Sequence, residues 1–306
     1  MEALKIGTRK SALALWQARW VQSRLKEAYP DMQVDLVLMD TKGDKDLDTP
    51  LPSVADKGFF TQEIERELFD GTIDIAVHSL KDLPTKLPEG LDIGAYCERA
   101  DAHDAFIGKD NMHFSELPEG ACIGTSSLRR VAQVKRLRPD IECVAIRGNL
   151  ETRLRKMQES DTMSGTFLAC AGMKRMGMAD RITDQMPFDK LLPAPGQGVI
   201  AIEYKDSRTD VRRVIQAVNH MPSALEARTE RAFLSFLEGG CQTPLGAKAT
   251  FRGDCIEFEA GVFSLDGSKQ ARVATTGQTP EVTGKYAADI AMQQGADAIL
   301  AEVRTS

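Results

Sequence analysis

The sequence predicts an α/β protein in three domains, two of them α/β domains built alike and the third a small α+β domain with an antiparallel three-stranded sheet. Three observations carry this. The first half alternates short apolar runs with stretches that place apolar residues at helical spacing. Within it a motif echoes itself. Ile6-Gly-Thr-Arg-Lys-Ser11 opens one strand–turn–helix unit that ends at Pro30-Asp31, and Ile123-Gly-Thr-Ser-Ser-Leu-Arg-Arg130 opens another that ends at Pro139-Asp140. Finally, the chain has 306 residues, more than one domain holds at about 100–200 residues each.

In chain order, residues 4–7 form a strand. Ser11 is placed to cap a helix running to about Ala28, on which Leu13, Trp16, Trp20 and Leu25 fall mostly at helical spacing. Residues 34–39 form a second strand. Residues 40–60 are rich in Asp, Lys, Gly and Pro and keep no period, which at that length marks a lid or a disordered segment. A helix over 61–69, closed by Gly71, precedes a strand over 73–79. The polar run 97–103 closes the first domain at about residue 98. The second domain, 103–192, holds the echoed unit, a strand over 142–146 and another over 167–171. Leu192-Pro-Ala-Pro-Gly-Gln-Gly198 is a crossover into an apolar strand over 199–204. The third domain, 219–306, opens with Ser223-Ala-Leu-Glu226, which fits a capping box for a helix to about Glu238. Strands over 245–251, 255–263 and 271–276 follow, the last two joined at Asp266-Gly267, and a helix over about 281–294 closes the chain.

Composition narrows the function. With 42% hydrophobic and 27% charged residues this is an ordinary globular chain, and no run approaches the roughly 20 apolar residues of a membrane span. Met1-Glu-Ala-Leu-Lys-Ile6 lacks the features of a secretory signal, so a cytoplasmic, membrane-free protein is expected. A net charge of −6 argues against nucleic acid. The charge is uneven, however. Residues 121–160 carry nine Lys/Arg against four acids, a local +5 that leaves −11 elsewhere. Such an island is either a solvated helix face or a seat for a local anion. The six cysteines form no C-x-x-C pair and the four histidines show no metal spacing, which predicts reduced thiols and no metal.

The chemistry-bearing residues cluster at turns. Gly-Thr-x-Ser turns at two helix N-termini present free N–H groups and a positive dipole end, which favour anions, though Ser and Thr cap ordinary helices too. Cys241 follows Gly239-Gly240 on a Gly/Pro loop. It is an accessible nucleophile or attachment point, or an incidental loop thiol. Asp82 lies just past an apolar strand, where α/β proteins line their ligand crevice. There it serves as general acid or base or stabilises a developing cation, or it merely forms a turn before Pro84. His78 reads as packed on that strand. Arginines 129, 130, 147, 153 and 175 sit near strand ends or helix starts, and their planar forks suit carboxylates. Together these features point to a multi-carboxylate ligand with chemistry beside an attachment point.

Over Thr8-Arg-Lys-Ser11, Lys57-Gly-Phe-Phe60, 76–84, Gly124-Thr-Ser-Ser-Leu-Arg-Arg130, Arg147-Gly-Asn149, Pro195-Gly-Gln-Gly198 and Glu238-Gly-Gly-Cys-Gln242, the chain resembles the porphobilinogen deaminase (hydroxymethylbilane synthase) family along essentially its whole length. The resemblance implies two periplasmic-binding-protein-like domains flanking a cleft, with residues 199–218 returning to the first, and a monomer. It implies a dipyrromethane cofactor held by Cys241 through a thioether. Four porphobilinogen molecules are joined to it one at a time with loss of ammonia, and water then releases hydroxymethylbilane, a step of tetrapyrrole and heme biosynthesis. By the same resemblance Asp82 is catalytic, and Lys81, Asp82, Thr125, Ser126, Ser127, Arg129, Arg130, Arg147, Gly148 and Ala169 contact the cofactor. Arg9, Ser11, Lys57, Phe60, Arg147, Arg153, Arg175 and Gln197 are implied at the substrate. The run Ser160-Asp-Thr-Met-Ser-Gly-Thr166 departs from the family pattern and reads one residue longer, and Phe59 stands where an aliphatic residue is common.

Two rival classes are weighed against this. A non-catalytic anionic-solute-binding module of the same fold has no use for Cys241. An arginine-rich nucleic-acid binder is opposed by the pI near 5.4 and by the scarcity of aromatic residues in the basic island.

Overall fold

A computed structural model describes residues 1–40, 61–237 and 243–305. Lys57, Phe60 and Cys241, with most of the expected lid, lie outside the described residues.

The chain divides into two compact units. One comprises Met1–Ala100 with Val199–Ala227, the other Asp101–Gly198 with Arg228–Ser306. The first unit holds β1 (Ala3–Arg9), α1 (Ala12–Ala28), β2 (Gln33–Met39), α2 (Gln62–Asp70), β3 (Ile75–Ser79), β4 (Leu91–Tyr96), β10 (Ile200–Lys205) and α6 (Thr209–Ile215). Its sheet runs β2-β1-β3-β10-β4. β1 lies parallel to β2 and β3, and β10 is antiparallel to both of its neighbours. The strands alternate in what they bury. Ile75, Val77, Ile200, Ile202 and Tyr204 pack with Ala18, Val21 and Leu25 of α1 on one face, while Ala76 packs with Ile64 and Leu68 of α2 on the other.

The second unit repeats this plan. It holds β5 (Asp104–Gly108), β6 (Cys122–Gly124), α3 (Leu128–Leu137), β7 (Glu142–Val144), α4 (Leu150–Glu159), β8 (Met163–Ala169), α5 (Cys170–Arg175) and β9 (Asp184–Met186). The order β7-β6-β8-β5-β9 maps onto the first sheet strand for strand, and β5 takes the antiparallel place that β10 has there. Each sheet therefore receives one strand just after the chain has crossed over. The echo in the sequence is real: Gly7 and Gly124 occupy equivalent positions in β1 and β6. A Cβ would come within 2.4 Å of the Ile73 side chain at Gly7 and 2.8 Å of the Met163 side chain at Gly124, so at both positions glycine lets a neighbouring side chain approach closely.

The second unit also holds the small sheet, β11 (Leu245–Arg252), β12 (Cys255–Phe263) and β13 (Gln270–Gly277), antiparallel throughout. α8 (Pro280–Gln293) and α9 (Ala296–Thr305) accompany it. It is joined to the rest of the unit by backbone as well as side chains. Ala247 N–H donates to Pro193 O at 2.9 Å, Arg272 Nη1 donates to Asp189 O at 2.8 Å, and Phe263 packs on Ala132 and Leu192.

Four local expectations change. Ser11 is the N-cap residue of α1 but its side chain makes no cap bond. The helix expected to start with a Ser223 capping box starts instead at Met221, as α7 (Met221–Phe236). Pro222 falls in its first turn, where a missing N–H costs nothing, and Ser223 Oγ accepts from Arg99 N–H at 2.8 Å. β8 begins at Met163 rather than at Phe167, because Ser160 Oγ caps the preceding turn by accepting from the N–H of Thr162 and Met163. Past residue 294, Gly295 at φ +89° breaks α8 and lets α9 begin.

Candidate active site

In the first unit the strand order puts the end of β3 at the centre of the sheet. A short 3₁₀ turn, Leu80–Asp82, follows it directly. Leu80 and Leu83 are buried with Val199, Ala201 and Ala227, and Leu80 N–H donates to Val199 O at 3.0 Å. With both flanking leucines anchored, the turn leaves Asp82 exposed and Lys81 half-buried. Arg9 ends β1 and is half-buried, and Ser11 follows at the start of α1 with an extended backbone. Gln17 Nε2 of α1 donates to Ser79 Oγ at 2.8 Å, holding the last residue of β3.

In the second unit Thr125, Ser126 and Ser127 form the turn from β6 into α3. Thr125 is buried, its N–H donates to Val144 O at 2.8 Å, and its hydroxyl accepts from Ser127 N–H at 3.3 Å. Ser126 Oγ is spent on the backbone of Ile146, donating to its carbonyl at 2.9 Å and accepting from its N–H at 3.1 Å. Ser127 is the N-cap residue without a side-chain cap bond, and its carbonyl accepts from Arg130 N–H at 2.9 Å. Arg147 is half-buried just before Gly148. Gly148 has φ +120°, and a Cβ there would meet Thr152 at 2.5 Å. Its carbonyl accepts from Arg153 Nε at 2.8 Å, while Asn149 caps α4 by accepting from Thr152 N–H at 2.9 Å. Ala169 ends β8, and Arg175, at the end of α5, donates to Gly198 O at 2.8 Å.

Arg129 and Arg130 are not surface residues, being 4% and 5% exposed. Both grip Asp104, a fully buried carboxylate that sequence reasoning missed. Arg129 Nη1 donates to Asp104 Oδ2 and Arg130 Nη2 to Oδ1, each at 2.6 Å. Arg129 also donates to Leu192 O and Arg130 to Phe167 O, both at 2.7 Å. Burial alone would push the Asp104 carboxyl up, but the two guanidinium charges and their hydrogen bonds outweigh it and hold the group well below the usual carboxylate range. For Arg130 burial dominates and, with the neighbouring Arg129 adding to it, moves the pKa down against the pull of Asp104. Two buried cations thus share one buried anion, and the cluster keeps a positive excess that a further carboxylate would neutralise.

Gln197 is fully buried. Its Nε2 donates to Ala102 O at 2.8 Å and reaches Asp104 Oδ1 at 3.2 Å, so it braces the crossover strands within the second unit. Among the described residues, the cysteines are free thiols. Burial pushes Cys143 up to about 11 and Cys170 up to about 12, which makes both inert as nucleophiles at neutral pH. No group of His, Cys, Asp and Glu among the described residues is arranged to hold a metal ion.

These features define a class: an α/β protein of two like-built units that presents a carboxylate at a strand end of one and an arginine-backed, carboxylate-seeking turn in the other. Comparison with known proteins gives the family. The profile for "Porphobilinogen deaminase, dipyromethane cofactor binding domain" matches residues 4–213, and that for "Porphobilinogen deaminase, C-terminal domain" matches 224–293. The porphobilinogen deaminase of Desulfitobacterium hafniense is 51% identical over 305 residues, covering 100% of this chain and 99% of the relative. That of Syntrophomonas wolfei is 47% identical, covering 99% and 100%, and that of Geobacter sulfurreducens 46%, covering 99% and 95%. Among solved structures, the methionine-binding protein MetQ aligns with a TM-score of 0.45 at 15% identity, over 71% of this chain and 90% of that one. The chain belongs to the porphobilinogen deaminase family.

Proposed function

We propose that this chain condenses four porphobilinogen molecules head to tail on a dipyrromethane cofactor, with loss of ammonia at each step, and releases the linear tetrapyrrole hydroxymethylbilane by hydrolysis. The observation that carries the residue assignments is the buried Arg129–Arg130–Asp104 cluster at the first turn of α3. Every pyrrole ring bears an acetate and a propionate, and two adjoining guanidinium groups with only one internal carboxylate suit such side chains. The donor set of this turn therefore fits the group that the family profile names.

The cofactor, when bound, supplies a fixed pyrrole end to which rings are joined. Cys241 is its anchor, with Lys81, Thr125, Ser127, Arg129, Arg130, Arg147, Gly148 and Ala169 as its contacts. Ser126 acts from behind, since its hydroxyl fixes the 146–148 turn through Ile146. Arg9, Ser11, Lys57, Arg153 and Arg175 take the carboxylates of incoming porphobilinogen, and Phe60 is a further contact of the substrate. Gln197 is a positioning residue rather than a substrate contact.

Loss of ammonia makes the porphobilinogen side-chain carbon electron-poor, and joining two pyrroles places positive charge on a ring nitrogen. Asp82 stands at a strand end with an exposed carboxylate. It stabilises that charge and carries protons to the leaving amine and from the attacking carbon. The protein acts as a cytoplasmic monomer. The test is incubation of the purified chain with porphobilinogen. One ammonia should appear per porphobilinogen consumed, with hydroxymethylbilane as product; binding without ammonia release would instead favour an anionic-solute-binding module.

A further inference from the structure

A second cluster of titratable groups lies buried in the first unit, and the proposed reaction does not use it. His78 of β3 is 7% exposed and Glu203 of β10 is 0% exposed, with His78 Nε2 and Glu203 Oε2 3.0 Å apart. The sheet register explains the pairing. Glu203 lies opposite Ala76, so His78, two residues on, is its diagonal neighbour on the same face. Glu65 of α2, 7% exposed, faces the pair. Burial pushes its carboxyl up, with the Glu203 charge adding to the rise and His78 opposing it.

One atom makes this cluster unusual. Among the described residues, Oε1 of Glu203 is buried without a hydrogen-bond partner. A buried polar atom left unpaired is destabilising, and in this place a leucine would fill the core at no such cost. Something other than stability accounts for the acid. The location supplies it, because β3 runs from His78 through Ser79 directly into the turn that carries Lys81 and Asp82. Gln17 of α1 holds Ser79 from one face of the sheet. The His78–Glu203 bond ties β3 to β10 on the other face, where Glu65 of α2 faces the pair.

The geometry points to His78 as a positioning residue for Asp82: its bond to Glu203 locks the end of β3 in register with β10 and so fixes where the catalytic carboxylate stands. This rests on the role assigned to Asp82. A displacement of about 1 Å at the reacting group costs up to roughly 100-fold in rate.

The test uses the holoenzyme and porphobilinogen kinetics. His78→Gln keeps a donor for Glu203 and should retain kcat within about threefold, whereas His78→Leu should lower kcat roughly 10- to 100-fold with KM within about twofold. His78→Leu/Glu203→Leu removes the stranded carboxylate; its thermal midpoint should recover while kcat stays low. If His78→Leu keeps wild-type kcat, or if kcat returns together with stability in the double variant, the positioning role is overturned. Should His78→Leu fail to fold, His78→Gln and the double variant decide. Asp82→Asn run alongside separates the two ideas, since an unchanged kcat there removes the role of Asp82 itself.

Discussion

Asp82→Asn is expected to lower kcat by about 10²–10⁴-fold, the range for losing a positioned acid–base group. The substitution keeps size and one hydrogen-bonding oxygen but removes the charge that faces the developing pyrrole cation. Because Asp82 is exposed, and the buried leucines on either side of it hold the turn, the protein should lose no more than about 0.5 kcal/mol of stability. KM should change far less than kcat, since the arginines proposed to meet the carboxylates of porphobilinogen are untouched. Asp82→Glu restores the charge at a displaced position and should fall between wild type and Asn. Steady-state kinetics on preparations already carrying the cofactor, with thermal unfolding alongside, check this. An Asn variant with wild-type kcat would mean that neither charge nor proton transfer at Asp82 matters.

Asp104→Ala is expected to do the reverse, damaging the fold first. It strands two buried guanidinium groups with no carboxylate between them, and breaking a buried ion pair in this way costs about 3–5 kcal/mol. Replacing all three members with apolar residues of similar volume should recover much of that stability, while removing the seat for the cofactor's carboxylates. The acid behaviour has a definite sign. Asp104 is held well below its ordinary value in the folded protein, so its contribution is complete above the unfolded carboxylate pKa of about 3.9. It is lost progressively as pH falls below that. Urea unfolding of wild type between pH 6 and 3 should therefore show a decline that is shallower in the Asp104 variant. Equal slopes would remove the ion cluster from the account of stability.

The two halves of this site differed in how far a sequence can reveal them. Local chemistry was legible. Gly7 and Gly124 marked the two close-packed turns and the basic island showed in its charge, while Asp82, standing after an apolar strand, left a turn and a catalytic role both open until the family resemblance implied the second. Groups whose meaning depends on distant partners were not. Asp104 directly follows the polar run 97–103 that reads as a domain break, and only folding brings it to arginines 25 and 26 positions away. His78 reads as a packed strand residue, and its partner Glu203 is 125 positions distant. The residues of strand β10 by themselves do not say that it completes the first sheet rather than the second, and only the family resemblance implied it. That follows from register and crossover, which no periodicity encodes. A signal did exist for Asp104: two adjacent arginines in a helix whose first turn is buried require an internal anion.

The most direct test of the central claim is the intact mass of the purified chain beside Cys241→Ser. The wild type should exceed its sequence mass by two linked porphobilinogen-derived units and the Ser variant should not, which would establish the cofactor and its anchor in one measurement. A wild-type chain at its bare sequence mass that gains nothing on incubation with porphobilinogen would contradict the account.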